Sequence, residues 1–460
     1  MLGTFNRLSA IQGLVIAYLL ALFVIIYGPG VGKGFVADDF NWIARSRPPI
    51  AQAVGRALSH TSDFYRPVIT FSFAVNYALS GLNPKLYGLV NLSLLIGCAV
   101  LVAWLASLSG LRRGFAIFAA ALFAFNVHGI DMGVLWISGR TSLFLTLFSL
   151  GAAIAFQKGR LQTCAVLTFL ALLSKEEAVV LPIVFSIWRW LDAGTEQTAA
   201  RGSGLEAIRE TRWMWAVLGI YAVLRFHSGA MLPTNAPPYY RLSANPHLLA
   251  RNLREYADRA CSISLLFVGL VFLVARVRPG LDARERAMVA KAASWLVLGF
   301  AITIFLPIRS SLYAVFPSIG SVLAASLLIA GMWPRVSART QRSLTAAALM
   351  LPIALLPVYR ARGERWVLNA QLSDSVVNQL EEVAARPEVE RIVLRDDRTT
   401  RVNLANAIGP AASDVARLIA QHPLTVEIEP PFERKRRIAS PEEAVMALDP
   451  LTGLLTPALP

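Results

Sequence analysis

Apolar runs dominate the chain as far as residue 358. They lie at roughly 8–27, 86–108, 114–127, 142–156, 161–173, 178–191, 213–226, 261–275, 288–306, 316–333 and 344–358. Runs of this length predict about eleven membrane-spanning helices, several of them short enough to merge or shift. Proline and glycine within them do not veto the assignment, because neighbouring helices re-satisfy the freed backbone groups. The first run exceeds a signal-peptide core and no small-residue cleavage site follows it, so it is expected to stay as an anchor. Beyond 358 the pattern changes to short mixed pieces, predicting helices over 373–385 and 411–421 and strands over 391–394 and 424–428. The expected organisation is a transmembrane domain over 1–358, with a first external loop at about 28–85, and a small α/β domain over 359–460 outside the membrane.

Composition agrees with that pattern. Of 460 residues 55% are hydrophobic and only 16% charged, which excludes a set of ordinary soluble domains. The net charge of +15 does not imply a nucleic-acid partner, because the basic residues are strung between apolar runs and are not gathered on one face. Their distribution gives an orientation. Arg112 and Arg113, Lys158 and Arg160, the stretch 276–286, and Arg335, Arg339 and Arg342 mark alternate turns, which are expected to be cytoplasmic together with the N-terminus. The segment 28–85, the turns near Arg140, Lys175 and Arg309, the stretch 227–259 and the C-terminal domain then lie outside a cytoplasmic (inner) membrane. Cys98, Cys164 and Cys261 all fall in apolar stretches, without the spacing of a disulfide framework or a zinc site.

The candidate chemistry sits on the expected outer side. Asp38 and Asp39 follow the first span among apolar and aromatic neighbours, where a carboxyl can hold its proton to higher pH and serve as a base; an N-cap or a solvated pair would look the same. Adjacent side chains diverge on a helix or strand, so one base with a supporting neighbour fits better than two carboxylates flanking one sugar. Tyr65-Arg66-Pro67 restricts Arg66 to an extended backbone, suited either to a bidentate phosphate clamp or to a headgroup-depth anchor. Arg140 closes Trp-Ile-Ser-Gly-Arg at a span end, with Asp131 and His128 just before; an Asp131–Arg140 salt bridge is the simplest structural expectation, and a single histidine does not make a metal site. Ser174, Lys175, Glu176 and Glu177 occupy a turn between apolar helices, where cap chemistry is the plainer alternative. Arg309 and Tyr313 mark another span end. One base and several cations on one face suit departure of a sugar from phosphate, since the leaving group needs positive charge and the attacking hydroxyl needs a base.

In their order along the chain these motifs resemble the GT-C superfamily of integral-membrane glycosyltransferases, and within it the transmembrane O-mannosyltransferases with tetratricopeptide repeats. The resemblance rests on Val36 to Asp39, Arg66 to Val68, Gly139-Arg140, Ser174 to Glu176 and Arg309 through Gly320, with Asn83-Pro84 and Asn91 between them, and covers approximately 8–333. Ser142 stands where an acidic residue is expected, the Arg309 to Pro317 spacing is one residue longer, and no repeat array follows. The resemblance implies a mainly α, polytopic hexosyltransferase that uses a polyprenyl-phosphate sugar. Asp38 and Asp39 would be catalytic, Arg66, Arg140, Lys175, Arg309 and Tyr313 would sit at the donor phosphate, and Tyr65, His128, Asp131 and Glu176 would support them. It implies membrane lipids and an extracytoplasmic protein, glycan or lipid acceptor as partners. Superfamily members differ in using a divalent metal ion, and no dedicated cage is readable here. A transporter or lipid flippase, or an inactive assembly subunit, are the competing classes; transport would place charges near the bilayer midplane.

Overall fold

Each expected apolar run falls mostly on a helix in the computed structural model, which describes residues 9–59, 64–194, 204–230, 240–276, 278–398, 400–420, 422–429, 442–449 and 452–458. Leu8 of the first run, residues 231–239 of the stretch 227–259, and Gln421 of the second C-terminal helix lie outside the described residues. Helix α1 (Ala10–Tyr27) opens on a reciprocal cap in which Ser9 and Gln12 satisfy each other's backbone N–H groups. The segment after it folds into α2 (Asp38–Ser46), α3 (Ile50–Ser59) and α4 (Pro67–Ser80). The bundle continues through α5 (Pro84–Leu108), α6 (Arg113–Ala124), the short α7 (Ile130–Leu135), α8 (Arg140–Gln157), α9 (Leu161–Leu172), α10 (Leu181–Ala193), α11 (Gly204–Glu210) and α12 (Arg212–His227). It closes with α13 (Pro246–Ala275), α14 (Ala283–Leu298), α15 (Ser318–Met332) and α16 (Ala338–Ala354).

Among the described residues, seven helical stretches are long and apolar enough to cross a membrane: Ala10–Gly30, Pro84–Leu108, Ile137–Gln157, Pro246–Ala275, Ala283–Phe305, Ser318–Arg335 and Ala338–Ala384. The chain is a multi-pass membrane protein. Helices α6 and α9 have 12 residues each, about 18 Å, well short of a hydrocarbon core on their own. One boundary moves far from its expected place. The run over 261–275 is the apolar half of a 30-residue helix that starts at Pro246, capped by Asn245. Its first half is charged, and Arg251, Glu255 and Arg259 pair at one-turn spacing, which sustains the helix beyond the apolar stretch.

The C-terminal region is not set off by a linker. Helix α17 (Leu356–Ala384) runs through the expected boundary at 358 and extends the helix expected over 373–385 by about five turns towards the bundle. It is followed by β1 (Arg391–Arg395), α18 (Leu404–Ala407), α19 (Ala412–Ile419), β2 (Thr425–Glu429), β3 (Glu443–Leu448) and β4 (Leu455–Pro457). The sheet order is β2-β1-β3-β4, with β1 parallel to both neighbours and β4 antiparallel on the edge. Ile392 and Leu394 of the central strand are fully buried, as a parallel strand covered on its faces should be.

Two apolar cores result. One lies inside the helical bundle. The other is shared: Phe35, Phe40, Trp42 and Ile43 around α2, with Ile69, Phe73, Tyr87 and Ile137 from the bundle, pack with Val376, Leu380, Ile392, Leu404 and Val415 of the C-terminal region. Because α2 contributes Phe40, Trp42 and Ile43 to that second core, Phe40→Ala should cost about 3–5 kcal/mol and open the C-terminal sheet to protease in the detergent-solubilised chain. A separable C-terminal domain would keep its resistance.

Candidate active site

The two adjacent aspartates have different surroundings because α2 starts between them and a strained residue. Ala37 has φ 49° and ψ −120°, a backbone conformation that costs a non-glycine residue about 1–3 kcal/mol. Asp39 then turns inward and is fully buried, accepting the Val36 N–H at 2.9 Å, the Ser138 N–H at 2.7 Å and the Ser138 hydroxyl at 2.5 Å. Burial pushes its carboxyl up to about 6, against the pull of the Ser138 and Val36 hydrogen bonds and the charge of Lys33. Asp38 is partly exposed and makes no hydrogen bond or ion pair among the described residues. Burial also raises its carboxyl above the ordinary range; Arg66 opposes the rise most strongly, Asp414 adds to it and Arg45 opposes it.

Arg66 caps α4, with Pro67 at the first helical position. Its guanidinium forks onto Glu176, Nε to Oε2 at 3.0 Å and Nη2 to Oε1 at 2.5 Å, and lies over the Phe64 ring at 4.3 Å. Burial alone would raise the Glu176 carboxyl, but Arg66 outweighs it and holds the group well below its usual range. The next two charges in the same turn pair with each other. Lys175 Nζ lies 2.7 Å from Glu177 Oε1, donates to Ser142 Oγ at 2.9 Å and sits 4.9 Å from the centre of the Tyr313 ring. Tyr313 meets Tyr256 of α13 edge-on at 6.2 Å, and Arg309 pairs with Glu255 one residue earlier on that helix. Glu255 also takes Arg251 and Arg259, each at 3.2 Å.

The site therefore comprises cations already matched to carboxylates. Arg66, Lys175 and Arg309 were expected from the sequence, and each has a glutamate. Glu177 and Glu255 are the members that sequence reasoning missed as partners. Glu177 stood in the quoted run of three charges, whereas Glu255 carries no local motif. Glu177 Oε2, the Tyr65 hydroxyl and Arg259 Nη1 are buried without a hydrogen-bond partner among the described residues, so polar capacity is left over around the cluster. No three His, Cys, Asp or Glu side chains gather for a metal ion among the described residues. His128 lies in the turn between α6 and α7, where its N–H donates to Asn126 Oδ1 at 3.1 Å.

Arg140 departs from its expected place at the donor phosphate. It is 0% exposed and fully engaged: Nε donates to Asn91 Oδ1 at 3.1 Å, Nη1 to Ser72 Oγ at 3.0 Å and Asn76 Oδ1 at 2.6 Å, and Nη2 to the Tyr87 carbonyl at 3.1 Å. The ring of Phe73 covers it at 4.3 Å. The expected pairing with Asp131 involves a side chain that lies outside the described residues. Asn91 in turn donates to the carbonyls of Gly133, Trp136 and Ile137, at 3.0–3.1 Å, so the Arg140–Asn91 pair fixes the turn that carries Ser138. Gly139 of the same turn is packed so closely that a Cβ would lie 2.8 Å from the carbonyl oxygens of Gly133 and Met132.

No family model matches the chain. A segment of 199 residues is 32% identical to a protein O-mannosyl-transferase of Caenorhabditis elegans, covering 40% of this chain and 29% of the length of that protein. Across 91% of the chain the fold is similar to ArnT from Cupriavidus metallidurans in the apo state, with TM-score 0.52, 15% identity and 86% of ArnT covered. The same enzyme bound to undecaprenyl phosphate gives TM-score 0.52 at 14% identity, with the same coverage of both chains. The mycobacterial arabinofuranosyltransferase AftD gives TM-score 0.52 at 16% identity, over 92% of this chain and 32% of AftD. At these identities the likeness is one of fold, which the chain shares with ArnT and AftD.

The placement of Arg140 yields a test. Arg140→Ala leaves the oxygens of Asn76 and Asn91 unpaired in a dry core, which should cost about 1–3 kcal/mol for each unpaired group and lower both the melting temperature and the abundance in membranes. A ligand of the donor phosphate at that position would leave both unchanged.

Proposed function

We propose that the chain is an integral-membrane glycosyltransferase that moves a sugar from a polyprenyl-phosphate donor to an acceptor hydroxyl on the extracytoplasmic side, with inversion at the sugar carbon. The observation that carries this reading is the state of Asp38: a partly buried carboxylate without a hydrogen bond among the described residues, under the field of Arg66, which leads into a cation cluster where Arg259 keeps one nitrogen unpaired. The acceptor O–H gives its proton to Asp38 while the new O–C bond forms; the sugar–phosphate bond breaks and the phosphate departs with the electron pair. Arg66, Lys175 and Arg309 oppose the charge that grows on it, and Tyr313 packs under the lysine. Asp39 holds Asp38 by fixing the start of α2, Glu176 aims Arg66, and Tyr65 beside it packs on the ring of Tyr221.

The membrane part offers a path for an isoprenoid tail. An apolar groove of about 500 Å³ runs between α1, α6, α13, α15 and α16, past Phe118, Phe125, Ile263, Phe267 and Leu355. The groove also takes in Arg112, Gly114 and Leu344, and Ile263 in its lining is one turn along α13 from Arg259. Undecaprenyl phosphate bound to ArnT and the mannosyl transfer named for the nematode relative support a lipid-phosphate donor and a hexose such as mannose. The clustering of charge at one end of the bundle, near helix ends, favours transfer over a transport path through the midplane. The basic turns 112–113, 158–160 and 335–342 lie at the other helix ends, which supports an outward-facing site in a cytoplasmic membrane.

Asp38→Asn should abolish transfer while the protein keeps its abundance, and lipid-linked sugar should accumulate as an envelope glycan disappears, both read by mass analysis. Retained transfer, or a cysteine at position 38 labelled only from the cytosol, would overturn the reading. The pH dependence has a definite sign. The base works ionised, and its carboxyl is raised above the ordinary 3.8, so transfer should fall with falling pH already above the usual carboxylate range. Initial rates across pH, with donor saturating, check this.

A further inference from the structure

The region beyond residue 358 carries no motif of its own, yet it grips α2 at both ends and in the middle. At the start, the N–H of the strained Ala37 donates to the Ala407 carbonyl at 2.8 Å. In the middle, Asn41 Nδ2 donates to Asp414 Oδ2 at 2.8 Å. At the end, Arg47 Nη1 donates to the carbonyls of Arg417 and Leu418, both at 3.2 Å. Helix α17 supports the approach to α2: Gly34, at φ 113°, packs so that a Cβ would lie 3.3 Å from Ala370, and Trp366 stacks on Trp136, whose Nε1 donates to the Val36 carbonyl. Asn41 is three residues beyond Asp38, hence on the same helical face, and Asp414 is 5% exposed. The backbone conformation that separates the two aspartates is thus held from outside the bundle.

We infer that the C-terminal α/β region is a positioning clamp for Asp38, with Asp414 as the residue that locks it, so that transfer depends on a region remote in sequence from every other member of the site. This rests on Asp38 being the base. Asp414 touches no reacting atom in this scheme and is a positioning residue. The charged groups acting on Asp38 are Arg66 ahead of α4, Asp414 on α19 and Arg45 on its own helix. Of these only Asp414 is contributed by the clamp.

Two variants of the full-length chain in lipid nanodiscs separate geometry from charge. Asp414→Ala removes the acceptor for Asn41, and Asp414→Asn keeps an acceptor while removing the charge. With polyprenyl-phosphate mannose as donor probe and membranes of a strain lacking the protein as acceptor source, Asp414→Ala should lower kcat about ten- to hundred-fold with the donor KM unchanged. Asp414→Asn should recover most of that turnover and move the acid limb of the pH profile to lower pH, because a negative neighbour of Asp38 is gone. Hydrogen–deuterium exchange supplies a readout independent of activity: Asp414→Ala should raise exchange over residues 36–46 and leave the membrane spans protected. Wild-type turnover in Asp414→Ala, unaltered exchange over 36–46, or loosening spread evenly through the bundle would each overturn the clamp. Should the wild type transfer no sugar, the assigned chemistry fails, while the exchange pattern still decides whether the clamp exists.

Discussion

The arrangement depends on one buried cation. Arg140 sits where water does not reach, and a guanidinium there is tolerable only because its hydrogens are taken by Asn91, Asn76, Ser72 and the Tyr87 carbonyl. Those acceptors come from α4 and α5, while the arginine begins α8, so three helices are pinned at one point. Asn91 passes the constraint to the turn over 133–139, that turn presents Ser138, and Ser138 holds Asp39. The direction in which Asp38 faces follows from a chain of contacts that starts at a fully buried charge.

A second constraint governs the cations that do face the site. Charges stripped of water at a bundle end are costly unless matched, and Glu176, Glu177 and Glu255 match Arg66, Lys175 and Arg309. The match is incomplete by design of the geometry: one carboxylate oxygen of Glu177 and one nitrogen of Arg259 have no partner among the described residues. In the proposed reaction an arriving anion would meet the unpaired Arg259 nitrogen among cations already aimed, so little rearrangement is needed to take up charge that develops as a bond breaks.

The helical runs were legible because a bilayer demands length and apolarity of any segment that crosses it. The charged half of α13 was not, since its stability comes from arginine and glutamate pairs one turn apart that a hydropathy window reads as loop. Strands β1 and β2 were readable from their β-branched residues. Strand β3, Glu-Ala-Val-Met-Ala-Leu, is rich in helix formers and becomes a strand through pairing with β1. At the site, the positions of Asp38, Arg66 and Lys175 at helix ends could be read locally, and the divergence of adjacent side chains pointed to unequal roles for the two aspartates. Which oxygen or ring each one meets could not be read. The enclosure of Arg140, its partners Asn76 and Ser72, the countercharge Glu255 and the anchor Asp414 all depend on segments far apart in sequence.

The unbroken passage of α17 from the last span into the sheet region has a mechanical corollary. With no loop between them, the rotational setting of that region about the bundle is written in the helix itself, at about 100° per residue. A single residue inserted near position 362 would swing everything downstream through more than a quarter turn while leaving each part intact. The length of α17 is consequently a gauge, and the chain tolerates change there far less than in an exposed connecting loop.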